Sequence, residues 1–103
     1  MSKIPHIDEP ARSTPVMAQT QVLVVGGGTA GVSEAVAAAR EGADVILVER
    51  LGYLGGLATG GMIILLLTLD DGAGKQVVGG LCQETTERLV LRSAAECPEK
   101  TEG

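Results

Sequence analysis

Apolar residues along the chain change their spacing twice within residues 22–48, and each spacing predicts a different element. Residues 22–25, Val-Leu-Val-Val, are apolar without interruption and stop at Gly26. Continuous rather than alternating apolarity predicts a strand buried on both faces, as in a parallel sheet. From residue 30 to 41 the period becomes helical: Val32, Ala35, Val36 and Ala39 recur at i, i+3, i+4 and i+7 on one face. The alanines in this stretch favour the helix by propensity as well, and Gly42 supplies a stop. Residues 44–48 are a second run of the buried-strand type. Strand, helix and strand in so short a span predict a right-handed βαβ unit.

Beyond Glu49 the pattern is less decisive. Residues 50–61 contain too many glycines for a regular element and are expected to be loop. Residues 62–69 suit a strand or a buried helix segment equally. Asp71-Gly72 is a hairpin signal, with Val77 and Val78 available to return as a short strand. A second helix is expected over residues 81–95, with Leu81, Thr85 and Leu89 sharing a face and Glu84 preceding Arg88 in the favourable i, i+4 order. Pro5, Pro10 and Pro15 make residues 1–19 a disordered tail. The domain is expected over residues 20–95, followed by a disordered tail over 96–103.

Composition narrows the choice of function. A chain of 103 residues holds one small domain. Its net charge of −5 argues against a nucleic-acid partner and against anionic membranes. The first twenty residues lack the apolar core of a secretory signal, and the longest apolar run, 62–67, is far short of the roughly 20 residues that cross a bilayer. Cys82 and Cys97 are expected to be free thiols of a cytoplasmic protein, with Cys82 serving as a small buried hydrophobe in its helix. His6 stands alone in the tail, and Asp70-Asp71 suits turn chemistry better than metal binding. Tyr53 is the single aromatic residue, so a ring-bearing ligand would find almost no stacking partner.

The candidate chemistry lies at residues 26–31, Gly-Gly-Gly-Thr-Ala-Gly. Gly26 permits a tight turn out of the strand. Gly28 has no Cβ, so a pyrophosphate can approach the backbone. Gly31 lets the helix lie close to the strand. The helix N-terminus then offers free amides and a positive dipole end to phosphate. In a chain with 15 glycines the G-x-G-x-x-G spacing alone is weak. Here it follows an apolar strand, opens an alanine-rich helix and is answered by Glu49 at the end of the second strand, where an acidic side chain accepts the hydroxyls of a ribose. A negative charge there also repels a 2′-phosphate, which disfavours NADP. A P-loop is excluded, because Lys75 follows no Gly-Lys-Ser/Thr pattern.

These motifs, with the second glycine pair Gly55-Gly56 and Ala58-Thr59-Gly60 after it, resemble the N-terminus of FAD-dependent oxidoreductases of the two-dinucleotide-binding-domain type. The resemblance covers residues 21–89, although the family often has Pro at the Thr29 position. It implies an α/β, Rossmann-like βαβ dinucleotide-binding unit with FAD as cofactor. It implies that Gly26, Gly28, Thr29, Ala30 and Gly31 surround the pyrophosphate, that Glu49 binds the adenosine ribose with Arg50 beside the adenine end, and that Gly55, Gly56, Ala58 and Thr59 approach the central phosphates and the flavin. Family members are several times longer, so the chain is expected to be an incomplete, truncated FAD-binding domain, inactive as 103 residues alone, with an exposed sheet edge available for association. Its implied function is the FAD-binding part of an oxidoreductase acting on a small-molecule substrate. The alternatives are a fragment of an NAD-dependent dehydrogenase and a non-catalytic remnant. No catalytic residue is identifiable.

Overall fold

A computed structural model of the chain describes residues 3–66 and 69–96. Residues 3–19 are exposed and form no regular element. Strand β1 (Val22–Val25) leads through the glycine cluster into helix α1 (Thr29–Arg40), and the chain returns along strand β2 (Val45–Val48). The two strands pair in parallel, Val22 opposite Val45 through Val25 opposite Val48, with α1 as the crossover. This is a small α/β unit, a partial Rossmann-like βαβ.

Side chains at the base of the sheet set the register. The Thr20 hydroxyl donates to the Asp44 carbonyl at 2.7 Å, and the Asp44 amide donates to Gln21 Oε1 at 2.7 Å. Helix α1 stops where Gly42 adopts φ +87°. The Gly42 and Ala43 amides reach back to the carbonyls of Ala39 and Ala38, which satisfies acceptors the helix leaves open.

The expectation of strands buried on both faces is corrected. Helix α1 covers one face, where Val24 is only 6% exposed; burying that side chain contributes about 2 kcal/mol. On the opposite face of β1, Leu23 and Val25 are 60% and 78% exposed, and Val48 beside them on β2 is 47% exposed. The apolar run suggested two-sided burial because the uncovered face is as apolar as the covered one.

The second half of the chain departs further from expectation. The stretch read as loop contains a single-turn helix, α2 (Leu57–Gly60). Residues 62–66 are exposed and form neither strand nor helix; residues 67 and 68 lie outside the described part. The hairpin signal yields one antiparallel bridge, Asp70 to Gln76. Inside it the Asp70 carboxylate accepts the Gly72 amide, and that of Asp71 accepts the amides of Ala73 and Lys75. Val77 and Val78 form no strand; both amides converge on the Leu69 carbonyl.

Helix α3 (Gly80–Leu91) ends four residues before the expected limit. Ser93 takes φ +55°, and the Ser93 and Ala94 amides close on Val90 and Leu89. This is the same stop that ends α1, made with serine instead of glycine, so no sequence signal marked it. Leu81 and Leu89 are half-buried but Thr85 is exposed, and Cys82 is an exposed free thiol rather than a buried hydrophobe. Cys97 and the expected tail after Glu96 lie outside the described residues.

Helix α3 is tied to α1 through charge. The Arg40 guanidinium forks onto Glu84 at 2.8 and 2.7 Å, and Arg88 adds a third bond at 2.8 Å. These partners hold the Glu84 carboxyl down to about 2. A depressed carboxylate contributes stability above its unfolded value of 4.5 and loses it as pH falls through about 2. The pair is open to solvent, so salt weakens it. The wild-type helical circular-dichroism signal should therefore fall more over that acid range than the signal of Glu84→Gln. Superimposable acid titrations of the two chains would show that the bridge does not hold α3.

Candidate dinucleotide-binding site

Strand β1 delivers the backbone to Gly26, whose φ of +105° makes the turn. The Gly26 amide donates to the Val48 carbonyl at 2.8 Å, so the turn begins on the last rung of the sheet. Gly28 is extended and caps α1 without a side chain to spend on the helix amides. Its carbonyl accepts the Val32 amide at 2.9 Å. The preceding amides of the first turn, where Thr29 and Ala30 lie exposed, therefore have no intrahelical acceptor. No acidic residue occupies that turn, so the helix carries no carboxylate of its own at its positive end.

Two of the glycines create space in opposite senses. A Cβ on Gly28 would meet nothing within 4 Å, so the space beside this residue, at the start of α1, is open. A Cβ on Gly31 would overlap the Gly26 carbonyl oxygen and lie 3.4 Å from Val24 Cγ1. Gly31 is thus where helix meets loop and strand.

Glu49 follows β2 directly and is half-buried. Its Oε1 accepts the Leu51 amide at 2.9 Å and its Oε2 accepts the Gly27 amide at 2.6 Å. The Leu51 amide, then the Gly27 amide, with lesser help from Arg50, hold its carboxyl below the ordinary range. The side chain is turned onto the glycine loop rather than standing free. Each oxygen has taken one backbone donor and keeps a second lone pair, so Glu49 can still accept from a hydroxyl. Arg50 beside it is exposed.

The second glycine pair packs against the first loop. Gly55 and Gly56 adopt φ of +101° and +55°. The Gly55 amide donates to the Gly27 carbonyl at 2.8 Å, and a Cβ on Gly56 would stand 3.0 Å from Gly28 Cα. Ala58 is half-buried in α2, its amide on the Gly55 carbonyl at 3.1 Å. The Thr59 hydroxyl donates to the Leu54 carbonyl at 2.5 Å. Its proton serves the loop, which leaves that oxygen only an acceptor's role toward a ligand.

The structure thus gathers Gly26, Gly28, Thr29, Ala30, Gly31, Glu49, Gly55 and Gly56 around one turn, with Arg50, Ala58 and Thr59 at its margin. Sequence reasoning missed Gly27 and Leu54. Gly27 is the middle of a triple-glycine run, at a position where G-x-G-x-x-G accepts any residue. Tyr53 packs under α2, where a Cβ on Gly60 would collide with it.

Open helix amides, a vacant approach at Gly28 and an ionised carboxylate at the end of the adjacent strand suit a dinucleotide's phosphates and ribose. Among the described residues no group of three or more His, Cys, Asp or Glu side chains could hold a metal ion, and no helix is long and apolar enough to cross a membrane.

No solved structure matches the chain. A segment of 46 residues is 50% identical to a probable fumarate reductase of Shewanella frigidimarina, a match covering 42% of this chain and 8% of that protein. The chain therefore spans a small part of the length of this relative. The family model for FAD dependent oxidoreductase matches residues 21–103, a span that takes in the βαβ unit, both glycine loops and α3. By that match the chain belongs to the FAD dependent oxidoreductase family, whose redox function is flavin-dependent.

Proposed function

We propose that this chain is the FAD-binding part of a flavin-dependent oxidoreductase acting on a small-molecule substrate. The observation that carries this reading is the open approach at Gly28 to the first amides of α1, close to the ionised Glu49. The amides following Gly28 bind the pyrophosphate, Glu49 accepts from the adenosine ribose with its remaining lone pairs, and the Gly55-Gly56 backbone flanks the central phosphates. Arg50 lies toward the adenine end, and Ala58 and Thr59 toward the flavin. When bound, the flavin supplies hydride and electron transfer, while the protein supplies position and charge. The family match supports the cofactor, and the likeness to a probable fumarate reductase spans too little of that protein to carry a substrate with it.

Titration of the chain with FAD and, separately, with NADH tests this reading. Glu49→Ala should weaken FAD binding by at least tenfold, roughly the worth of one hydrogen bond to a charged group. Glu34→Ala, exposed on α1, should bind FAD as the wild type does. Equal FAD affinity for the two variants would remove Glu49 from the ribose site. Tight binding of NADH alone would turn the assignment to an NAD-dependent dehydrogenase.

A further inference from the structure

Gly27 is held from every side. Its amide donates to Glu49 and its carbonyl accepts from Gly55. A Cβ built on it would lie 2.6 Å from Leu54 Cδ2 and 3.0 Å from Glu49 Cβ. It is one of the few buried residues of the described chain. Its φ is not among the positive values that favour glycine, so a left-handed backbone is not what calls for glycine here. What requires glycine at this position is space, which Leu54 and Glu49 fill between them.

We propose that the Gly27 peptide is the joint that locks the two glycine loops into one cradle before cofactor arrives, with Leu54 and Glu49 as its positioning residues. One loop offers the helix amides behind Gly28. The other brings Gly56 against the same Gly28. The peptide between Gly27 and its two partners fixes the distance between them. A loop set in advance binds more tightly because its ordering cost is met during folding rather than at binding. Glu49 thereby has a second task, bracing the phosphate loop, beside the ribose contact proposed above. The affinity arm of the test rests on that FAD reading; the joint itself does not.

Two measurements on the intact chain decide it. In the first, without cofactor, the Gly27 amide proton resonates downfield in the nuclear magnetic resonance spectrum and moves upfield in Glu49→Gln, which has one acceptor oxygen to offer two amides. A Gly27 amide proton indifferent to Glu49→Gln would overturn the joint. In the second, Gly27→Ala weakens FAD binding by roughly tenfold or more, and Gly27→Ala with Leu54→Ala recovers part of that loss, because Leu54 Cδ2 is the nearest of the atoms in the way while Glu49 Cβ and Oε2 stay in place. Wild-type affinity in Gly27→Ala, or a double variant as weak as the single one, would also overturn it. Should Gly27→Ala fail to fold, the amide measurement still decides. If the wild-type chain binds no FAD, the functional reading falls, while the amide proton continues to report on the joint.

Discussion

Replacing Gly28 by valine should abolish FAD binding and leave the fold intact. The backbone at Gly28 has φ −70° and ψ −174°, a conformation any residue adopts. Nothing lies within 4 Å of the added Cβ, so that carbon displaces nothing. Gly28 is the N-cap of α1, and valine caps a helix worse than glycine, so a small loss of stability accompanies the change. The new methyl groups occupy the volume in front of the helix amides. A phosphate oxygen must come to about 2.9 Å from those nitrogens, and a branched side chain keeps it out. The expected loss in affinity is on the order of a hundredfold or more, read by flavin fluorescence titration beside a thermal melt. A variant that melts earlier but binds normally would show that Gly28 serves the fold and not the ligand.

Gly31→Ala should do the reverse. In an unobstructed helix interior the change from glycine to alanine gains about 1 kcal/mol. At Gly31 the added Cβ would overlap the Gly26 carbonyl oxygen, a backbone atom that cannot swing aside. Overpacking of this kind costs about 1–3 kcal/mol and occasionally more. Steric conflict therefore outweighs propensity, and the net result is a lower unfolding midpoint in denaturant. A raised midpoint would mean that α1 lies farther from the loop than the structure places it. Gly28 and Gly31 look alike in the fingerprint, yet one faces empty space and the other faces backbone.

That difference marks what the sequence alone made legible. The βαβ unit followed from local signals. The apolar runs at Val22–Val25 and Val45–Val48, the helical period of Val32, Ala35 and Val36, and the stop at Gly42 agree with the tertiary structure, whereas Ala39, read on the same helix face, is exposed. The role of Gly27 was not legible, because it depends on Leu54, which has no fixed spacing from the motif. Nor was the turning of Glu49 onto the Gly27 and Leu51 amides, since an acidic residue at a strand end looks the same whether it stands free or braces a loop. In the second half the signals conflict. The apolar residues 62–66 suggest burial, yet they are exposed, and the end of α3 lacks the glycine that marked the end of α1.

The chain distances inside the cradle bear on when it forms. Glu49 reaches Gly27 across 22 residues of chain, and β1 finds β2 through a single helix. The Gly55 contact to Gly27 closes only a few residues later. Parallel pairing is ordinarily slow because long loops must close before any contact rewards them; here the loop is short and its middle is an alanine-rich helix. During synthesis the parts of the cradle are all present once Gly56 has left the ribosome. On the reading proposed above, whatever chain follows assembles against loops whose geometry local contacts have already drawn, so the site proposed for the cofactor is inherited by the later folding steps rather than made by them.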